Sequence, residues 1–402
     1  MGLLYPPHYV GGYELIGQGV MRAARARGHD VQVLVSDYRV PGIVEPDEPG
    51  VDRGLRSYLD ATVRESAAIG VRECWRLERH NASLLKRHLR ELVPDVVSWW
   101  GMGGLSLSMI EQVRRARVPS VLAIQDQWPI YAPQTDIWAR RACKLRALAP
   151  ILEPLSGLPV KLEIEDGGRF LFNSQPLLDE TLTAGFDAHD RAVLTPGVHP
   201  RYRPAPQPVG WSGRLLYVGR LDPVKGVDVL VDALGQVPGA TLRLVGSGSD
   251  AYEAQLRDQV RKLGLGDRVD WAGPVDAELL PAIYAEADAV VFPVRWREPW
   301  GLVPLEAMAA GRPVIATSRG GAATYLRDEQ NALIMPVDDP RALSGLIERL
   351  AHDPRLREAL REGGFQTAAE HSAERYEQRL VDELERAAAR ERPRGQGSEQ
   401  PS

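Results

Sequence analysis

Residues 214–245 read RLLYV-GRLDPVKG-VDVLVDALGQVPGA-TLRLV. Arg214–Val218 is a short apolar run of the length and composition of a strand covered on both faces. The turn after it carries Gly219, Pro223 and Gly226, which end a strand and open a helix. Val227–Leu234 repeats its apolar residues at helical spacing, and Thr241–Val245 is a second buried run. Strand, helix, strand in this order makes a βαβ unit, and hence a parallel sheet. Toward the C-terminus the alternation continues through helix Ala251–Leu263, strand Val269–Trp271, helix Ala277–Glu286 and strand Ala289–Pro293. Helix Leu302–Ala310, strand Pro313–Thr317, strand Ala332–Pro336 and helix Arg341–His352 close that series. Toward the N-terminus the same scheme gives strands Val31–Ser36, Val96–Trp100, Val121–Gln125 and Arg169–Asn173. Helices Tyr13–Arg27, Arg72–Leu92, Leu105–Arg117 and Gln175–Ala184 lie among them. The fold class is α/β, with two doubly wound units.

A chain of 402 residues has room for two such domains, at roughly 100–200 residues each. Residues 196–213 carry Pro196, Pro200, Pro204, Pro206 and Pro208, which neither a helix nor a sheet interior accepts, so the boundary falls there. The expected division is residues 1–197, residues 198–370, a helix over 371–390 packing back on the first domain, and a disordered tail at 391–402. Residues 40–71 show no clear strand and read as a binding loop or lid. The opening Met1-Gly2-Leu3-Leu4-Tyr5-Pro6 leaves only Leu3 and Leu4 for a first strand. Either that strand is stunted or it begins upstream, and the second reading is preferred.

The net charge of −5 argues against a nucleic-acid binder held by a basic surface. Cys74 and Cys143 are too few for a metal cage or a disulfide framework. No apolar run approaches the ~20 residues of a membrane span, and no secretory signal opens the chain, so a cytoplasmic location is expected. Only five of the 49 basic residues are lysines, so a lysine inside a motif stands out.

Three stretches can carry chemistry. In Glu298-Pro-Trp-Gly301-Leu-Val-Pro-Leu-Glu306 a glycine opens a helix directly after a strand and loop. The N–H groups of Gly301, Leu302 and Val303 then favour an anion. Two carboxylates beside an anion site make sense if they take hydroxyls, and a nucleotide sugar offers hydroxyls flanking a diphosphate. The alternative is a Glu298 that serves the helix dipole and a solvated Glu306. In Gly219-Arg220-Leu-Asp-Pro-Val-Lys225-Gly226, two cations straddle the turn where such folds bind ligands, and a diphosphate is their complement. In Tyr5-Pro-Pro-His-Tyr-Val-Gly11-Gly12 the glycines precede a helix and offer N–H groups. Gly17-Gln18-Gly19 and Gly101-Met102-Gly103-Gly104 do not qualify as dinucleotide fingerprints. The first lies within a helix, and the second has no acidic ribose ligand about twenty residues on.

In this order and on these elements, the three stretches resemble the retaining glycosyltransferases of family four, which have the GT-B fold of two Rossmann-like domains facing across a cleft. The resemblance extends to Phe172-Asn173-Ser174, Pro196-Gly197-Val198, Leu244-Val245-Gly246-Ser247-Gly248 and Gly273-Pro274-Val275. It implies that Arg220 and Lys225 hold the donor diphosphate and that Glu306 binds the ribose. It also implies that Glu298 contacts the transferred sugar, with Gly11, Gly12, Gly219, Gly248, Val275, Gly301, Leu302 and Val303 completing the donor site. Arg220, Lys225, Glu298 and Asp126 are the implied catalytic residues. Where the family commonly carries a histidine before the aspartate, this chain has Gln125-Asp126, and its usual Asn-Gly-Val is here Pro196-Gly197-Val198. Gln125 hydrogen-bonds but is no acid at neutral pH, which bears on donor identity more than on reaction class.

The expected function is transfer of a sugar, with retention, from a nucleoside-diphosphate sugar to a hydroxyl acceptor: a glycan, a lipid-linked molecule or a secondary metabolite. No cofactor is expected. The chain has no Asp-x-Asp triplet, so no obligatory metal is expected either. Gln125, Trp128, Tyr131 and Trp138 are candidates on the acceptor side, where an aromatic core beneath a loop is the equal alternative. Arg140, Arg141, Lys144 and Arg146 offer weak peripheral membrane contact with anionic lipid or contact with a phosphorylated acceptor, and a solvated helix face is the preferred reading. A nucleotide-sugar 2-epimerase of the same fold and a degenerate protein that only binds sugar nucleotides are the competing readings.

Overall fold

The computed structural model describes residues 1–9, 11–40, 43, 48–58, 69–205 and 210–390. The tail expected at 391–402 and, within the 40–71 insertion, residues 41–42, 44–47 and 59–68 lie outside the described residues. The chain divides into two compact units, Met1–Leu194 together with the chain from Glu377 onward, and Thr195–Tyr376.

The first unit runs α1 (Gly12–Ala26), β1 (Val33–Ser36), β2 (Val51–Leu55), α2 (Val71–Leu92), β3 (Val97–Trp100), α3 (Ser108–Arg115) and β4 (Ser120–Ile124). It continues with α4 (Trp128–Thr135), α5 (Ile137–Leu145), α6 (Ala149–Ser156), β5 (Arg169–Phe172), α7 (Gln175–Thr183) and β6 (Asp190–Val193). Strands β3 to β6 form a four-stranded parallel sheet in sequential order, and β1 and β2 a parallel pair. Every residue of β4 is buried, as expected for a strand with helices on both faces. Gly2 bridges in parallel to both Val35 and Trp100. The Gly2 N–H donates to the Leu34 carbonyl (3.2 Å), and the Trp100 N–H donates to the Met1 carbonyl (2.8 Å). The Met1–Leu4 stub therefore fills the strand position between β1 and β3. A Cβ at Gly2 would fall 2.3 Å from the Trp100 carbonyl oxygen, so only glycine allows this approach.

The second unit contains β7 (Arg214–Val218), α8 (Val227–Gln236), β8 (Thr241–Val245), α9 (Asp250–Lys262), β9 (Val269–Gly273) and α10 (Leu280–Glu286). It goes on with β10 (Ala289–Phe292), α11 (Leu302–Ala309), β11 (Val314–Ala316), β12 (Leu333–Ile334), α12 (Pro340–His352) and α13 (Pro354–Glu370). The sheet is parallel throughout, in the order β12-β11-β10-β7-β8-β9. The chain moves outward from β7 to β9 and then returns to lay β10 on the other side of β7. The loops after β7 and β10 thus diverge at a topological switch point, where α/β sheets open a ligand crevice.

Helix α14 (Ala373–Arg390) belongs to the first unit from Glu377 onward. Arg27 on α1 donates to Asp382 (2.7 Å), and the Arg169 Nε on β5 to Glu383 (2.5 Å). Three differences from the sequence reading concern the first unit, one of them β6, an edge strand where none was expected. Strand β2 lies within 40–71, where no strand was expected; it pairs along one edge only and is mostly half-buried, so its sequence lacks the apolar run of an interior strand. Helices α4 to α6 occupy a stretch interrupted by Pro129, Pro133, Pro150 and Pro154. Pro129 and Pro150 stand in first turns, where no intrahelical N–H is needed.

Candidate functional site

In the second unit the geometry converges on the switch point. The turn after β7 ends at Gly226 (φ +69°), which caps α8, and a Cβ there would lie 2.1 Å from the Pro293 carbonyl oxygen after β10. Glycine at 226 thus brings the two loops into backbone contact. Across them the Lys225 Nζ sits 2.6 Å from the Glu298 Oε2, with both side chains largely buried. The Trp296 indole N–H donates to the same Glu298 oxygen at 2.6 Å, and Lys225 lies 4.8 Å from the Trp296 ring centroid. Arg295 fastens the loops from outside, donating to the Pro223 carbonyl (2.6 Å) and to both carboxylate oxygens of Asp228 (2.7 and 2.6 Å).

The backbone around Glu298 is fixed as well. The Gly321 N–H donates to the Glu298 carbonyl at 2.7 Å. Trp300 packs against Tyr325 and His371, with 5.2 Å between ring centroids in each pair. The Tyr325 hydroxyl donates to the carbonyl of Gly301, which takes φ +89° and caps α11. The amides of Leu302 and Val303 open that helix behind Gly301, and both side chains are half-buried. Glu306, one turn into α11, accepts from the Tyr284 hydroxyl at 2.7 Å. Burial pushes its carboxyl above the usual carboxylate range, against the hydroxyls of Tyr284 and Tyr202 and the charge of Arg201.

Of the other expected donor residues, Gly219 and Gly248 bind the β7 and β8 loops together: the Gly219 N–H donates to the Val245 carbonyl (2.9 Å), and Leu221 bridges Gly248 in parallel. The Gly248 N–H is itself given to Glu253 (2.8 Å). Arg220 projects into solvent, 3.6 Å from Asp222, and Val275 packs half-buried beside its loop. Sequence reasoning missed Trp296, Arg295, Tyr284 and Tyr202. Trp296 stands two residues before Glu298 and was readable; the tyrosines reach Glu306 only through the fold.

In the first unit Asp126 follows β4 and accepts from the Tyr131 hydroxyl at 2.7 Å. Burial raises its pKa, and the Tyr131 hydroxyl opposes the shift. Tyr13 hydrogen-bonds Glu14 and feels the charge of Asp126. The glycine stretch after β3 makes room for these rings: a Cβ at Gly103 would lie 2.2 Å from the Tyr131 hydroxyl, and one at Gly101 2.9 Å from the Tyr13 ring. The Gly11 N–H does not point outward as expected, because Glu14 accepts it at 3.0 Å in a capping box, and Gly12 begins α1. Gln125 is buried, its carbonyl accepting from the Asn173 side chain (3.0 Å). Trp128 is 1% exposed and belongs to the core, so it offers no ring face for stacking. Trp138, on α5, is half-buried, donating to the Pro159 carbonyl (2.8 Å) and packing against the cluster of Ala142, Ala149 and Val160. Of the aromatic acceptor candidates, Tyr131 reaches Asp126 with its side chain and Trp128 with its backbone N–H (3.4 Å). Among the described residues, no group of three or more His, Cys, Asp or Glu side chains could hold a metal ion, and no helix is long and apolar enough to cross a membrane.

Residues 203–367 match the family model of the glycosyl transferases group 1. D-inositol 3-phosphate glycosyltransferase from Jonesia denitrificans is 35% identical over 187 residues, 43% of this chain and 44% of that protein. The protein of the same name from Saccharomonospora viridis is 31% identical over 249 residues, 56% and 57% of the two chains. The chain thus spans about half the length of the curated relatives it matches. Among solved structures, sucrose-phosphate synthase from Thermosynechococcus elongatus superposes with a TM-score of 0.74 at 21% identity, over 96% of both chains. Anabaena HepE in complex with UDP-glucose gives 0.66 at 20% identity, over 96% of this chain and 98% of that one. The fold is the two-domain α/β GT-B fold.

Proposed function

We propose that this chain is a retaining glycosyltransferase that moves a sugar from a nucleoside-diphosphate sugar to a hydroxyl acceptor without a divalent metal. The observation that carries the reading is the Lys225–Glu298 pair at the switch point of the second unit, beside the N-terminus of α11. Its parts match a nucleotide sugar group by group. Lys225 and the exposed Arg220 complement a diphosphate, as do the first amides of α11. Glu298 suits a sugar hydroxyl, and Glu306, held by Tyr284, suits the ribose. Lys225 and Glu298 neutralise each other, which accounts on this reading for a carboxylate beside an anion site. An arriving diphosphate takes Lys225, and Glu298 is released to the sugar.

The proposed transfer is front-face, with none of the site carboxylates assigned as a nucleophile for a double displacement. The leaving phosphate oxygen accepts the acceptor's proton as the new glycosidic bond forms. Lys225, Arg220 and the α11 amides stabilise the charge that grows on the departing nucleoside diphosphate. Asp126, which accepts from the Tyr131 hydroxyl, is the first unit's candidate for contact with the acceptor. The matches to glycosyltransferases support this reading, most directly the group 1 glycosyl transferase family over residues 203–367.

The test is a panel of UDP-, GDP-, ADP- and dTDP-sugars without acceptor, read by thermal shift and slow release of nucleoside diphosphate. One donor should stabilise the protein and be hydrolysed, in the presence of EDTA, with both effects lost in Glu306→Ala. Silence across the panel defeats the reading, and activity restored only by Mg²⁺ defeats its metal independence.

A further inference from the structure

One stretch of the first unit, from α5 through the 3-10 turn Arg146–Leu148 into α6, wears its apolar residues on the wrong side for water. Leu145, Leu148, Ile151 and Leu155 are 44%, 48%, 61% and 81% exposed, and they recur every three or four residues. The inward side is built from Ala139, Ala142 and Ala149, with Trp138 and Leu152 packed beside them. A helical face that turns its small residues inward and its leucines outward is a face made for a partner.

The charge on the same stretch names that partner. Arg140, Lys144 and Arg146 are all exposed, and none has a carboxylate within ion-pair distance among the described residues. From Ile137 to Leu152 there is no Asp or Glu at all. Asp136 before it is buried as the cap of α5, and Glu153 after it is held by Arg115 at 2.7 Å. Apolar side chains interleaved with uncompensated cations suit a surface that offers hydrocarbon beneath a layer of negative charge. A second copy of the same face would bring like charges together.

We propose that α5, the turn and α6 dock this protein on an anionic lipid bilayer, with the leucines and Ile151 at the headgroup–acyl boundary and the three cations on lipid phosphates. This assignment concerns the face alone and does not depend on the reaction proposed above. Helix α5 begins where α4 ends, so the docked face adjoins the helix that carries Tyr131.

Co-sedimentation of the full chain, without nucleotide, tests it against vesicles of phosphatidylcholine alone and of equal parts phosphatidylcholine and phosphatidylglycerol. Binding is expected to the second and not the first, weakening as salt is raised. Arg140→Gln/Lys144→Gln/Arg146→Gln should bind at least about tenfold more weakly, since each cation near such a surface contributes roughly fivefold. Ile151→Glu/Leu155→Glu should lose binding as well. The substituted side chains are exposed, so melting by circular dichroism should match the wild type; should a variant misfold, the lipid and salt contrasts on the wild type decide. No binding to anionic vesicles overturns the proposal, as does binding that neither variant weakens. A concentration-dependent dimer dissolved by Ile151→Glu, with no vesicle binding, assigns the face to a second copy instead.

Discussion

Lys225 and Glu298 share one ion pair, and Trp296 touches both, donating its N–H to Glu298 at 2.6 Å and facing Lys225 with its ring. The roles of the three can therefore be separated by substitution. Lys225→Ala removes a charged donor to the departing diphosphate and should lower kcat/KM by about 10²–10³-fold in steady-state transfer assays. Trp296→Phe keeps a ring over Lys225 but deletes the N–H that orients Glu298. It should weaken nucleotide-sugar binding several-fold while leaving the sugar-free nucleoside diphosphate unaffected, and calorimetry with the two ligands reads the difference. Glu306 responds to pH. Burial holds its pKa above the usual carboxylate range, and only the ionised carboxylate accepts two ribose hydroxyls. Nucleoside-diphosphate affinity should thus fall as pH drops through that raised value, at a pH where exposed carboxylates remain ionised. Calorimetric titrations of wild type and Glu306→Gln across pH 5 to 8 check this, because the variant should bind weakly with a flat profile.

At the scale of elements, the site depends on how closely the loops after β7 and β10 approach. Gly226 permits it, with φ +69° and no Cβ to strike the Pro293 carbonyl oxygen. Gly226→Ala should cost about 2 kcal/mol or more in urea unfolding, from left-handed backbone strain together with the clash. It should also part Lys225 from Glu298, so nucleotide affinity falls along with stability. The elements that shape this site were legible in the sequence because β7, β8 and β10 are apolar runs punctuated by glycine and proline. The same holds for the motif residues, since Lys225, Glu298 and Glu306 stand at fixed offsets from strand ends. Less was legible on the first unit. Strand β2 reads Val51-Asp-Arg-Gly-Leu55, whose half-buried edge position leaves no alternation to detect. The aromatic candidates near Asp126 could not be sorted by type, because a core tryptophan such as Trp128 and a tyrosine such as Tyr131 that reaches Asp126 differ only in where the fold turns them. The Gly11 amide was misread for a related reason: Glu14, three residues on, is a local acceptor that claims it first.

For the molecule as a whole, different titratable groups store opposite responses to acid. Inside the first unit, Glu78 is fully buried and accepts hydrogen bonds from the hydroxyls of Tyr58 and Ser108, the latter at 2.6 Å. Burial, and then the charge of Asp136, push the Glu78 carboxyl up to about 7 from its ordinary 4.5. Asp136, which caps α5, is itself raised to about 6 by burial. A carboxyl that holds its proton more tightly when folded contributes stability below its unfolded pKa and loses it as pH rises through the folded value. The first unit should accordingly be more stable near pH 5 than near pH 7.5, by on the order of 2 kcal/mol if one extra proton is bound across most of that window. Other groups run the opposite way. Glu153, lowered to about 2 chiefly by Arg115, loses its contribution only in stronger acid. His371 of the second unit is held below 6.5 by burial and favours the higher pH. The difference between wild type and Glu78→Gln isolates the buried carboxyl from these. Urea unfolding followed at pH 5, 6 and 7.5 should show wild type losing stability relative to the variant as pH rises, since the amide cannot ionise. Parallel pH profiles for the two proteins would mean that Glu78 keeps an ordinary carboxylate pKa despite its burial.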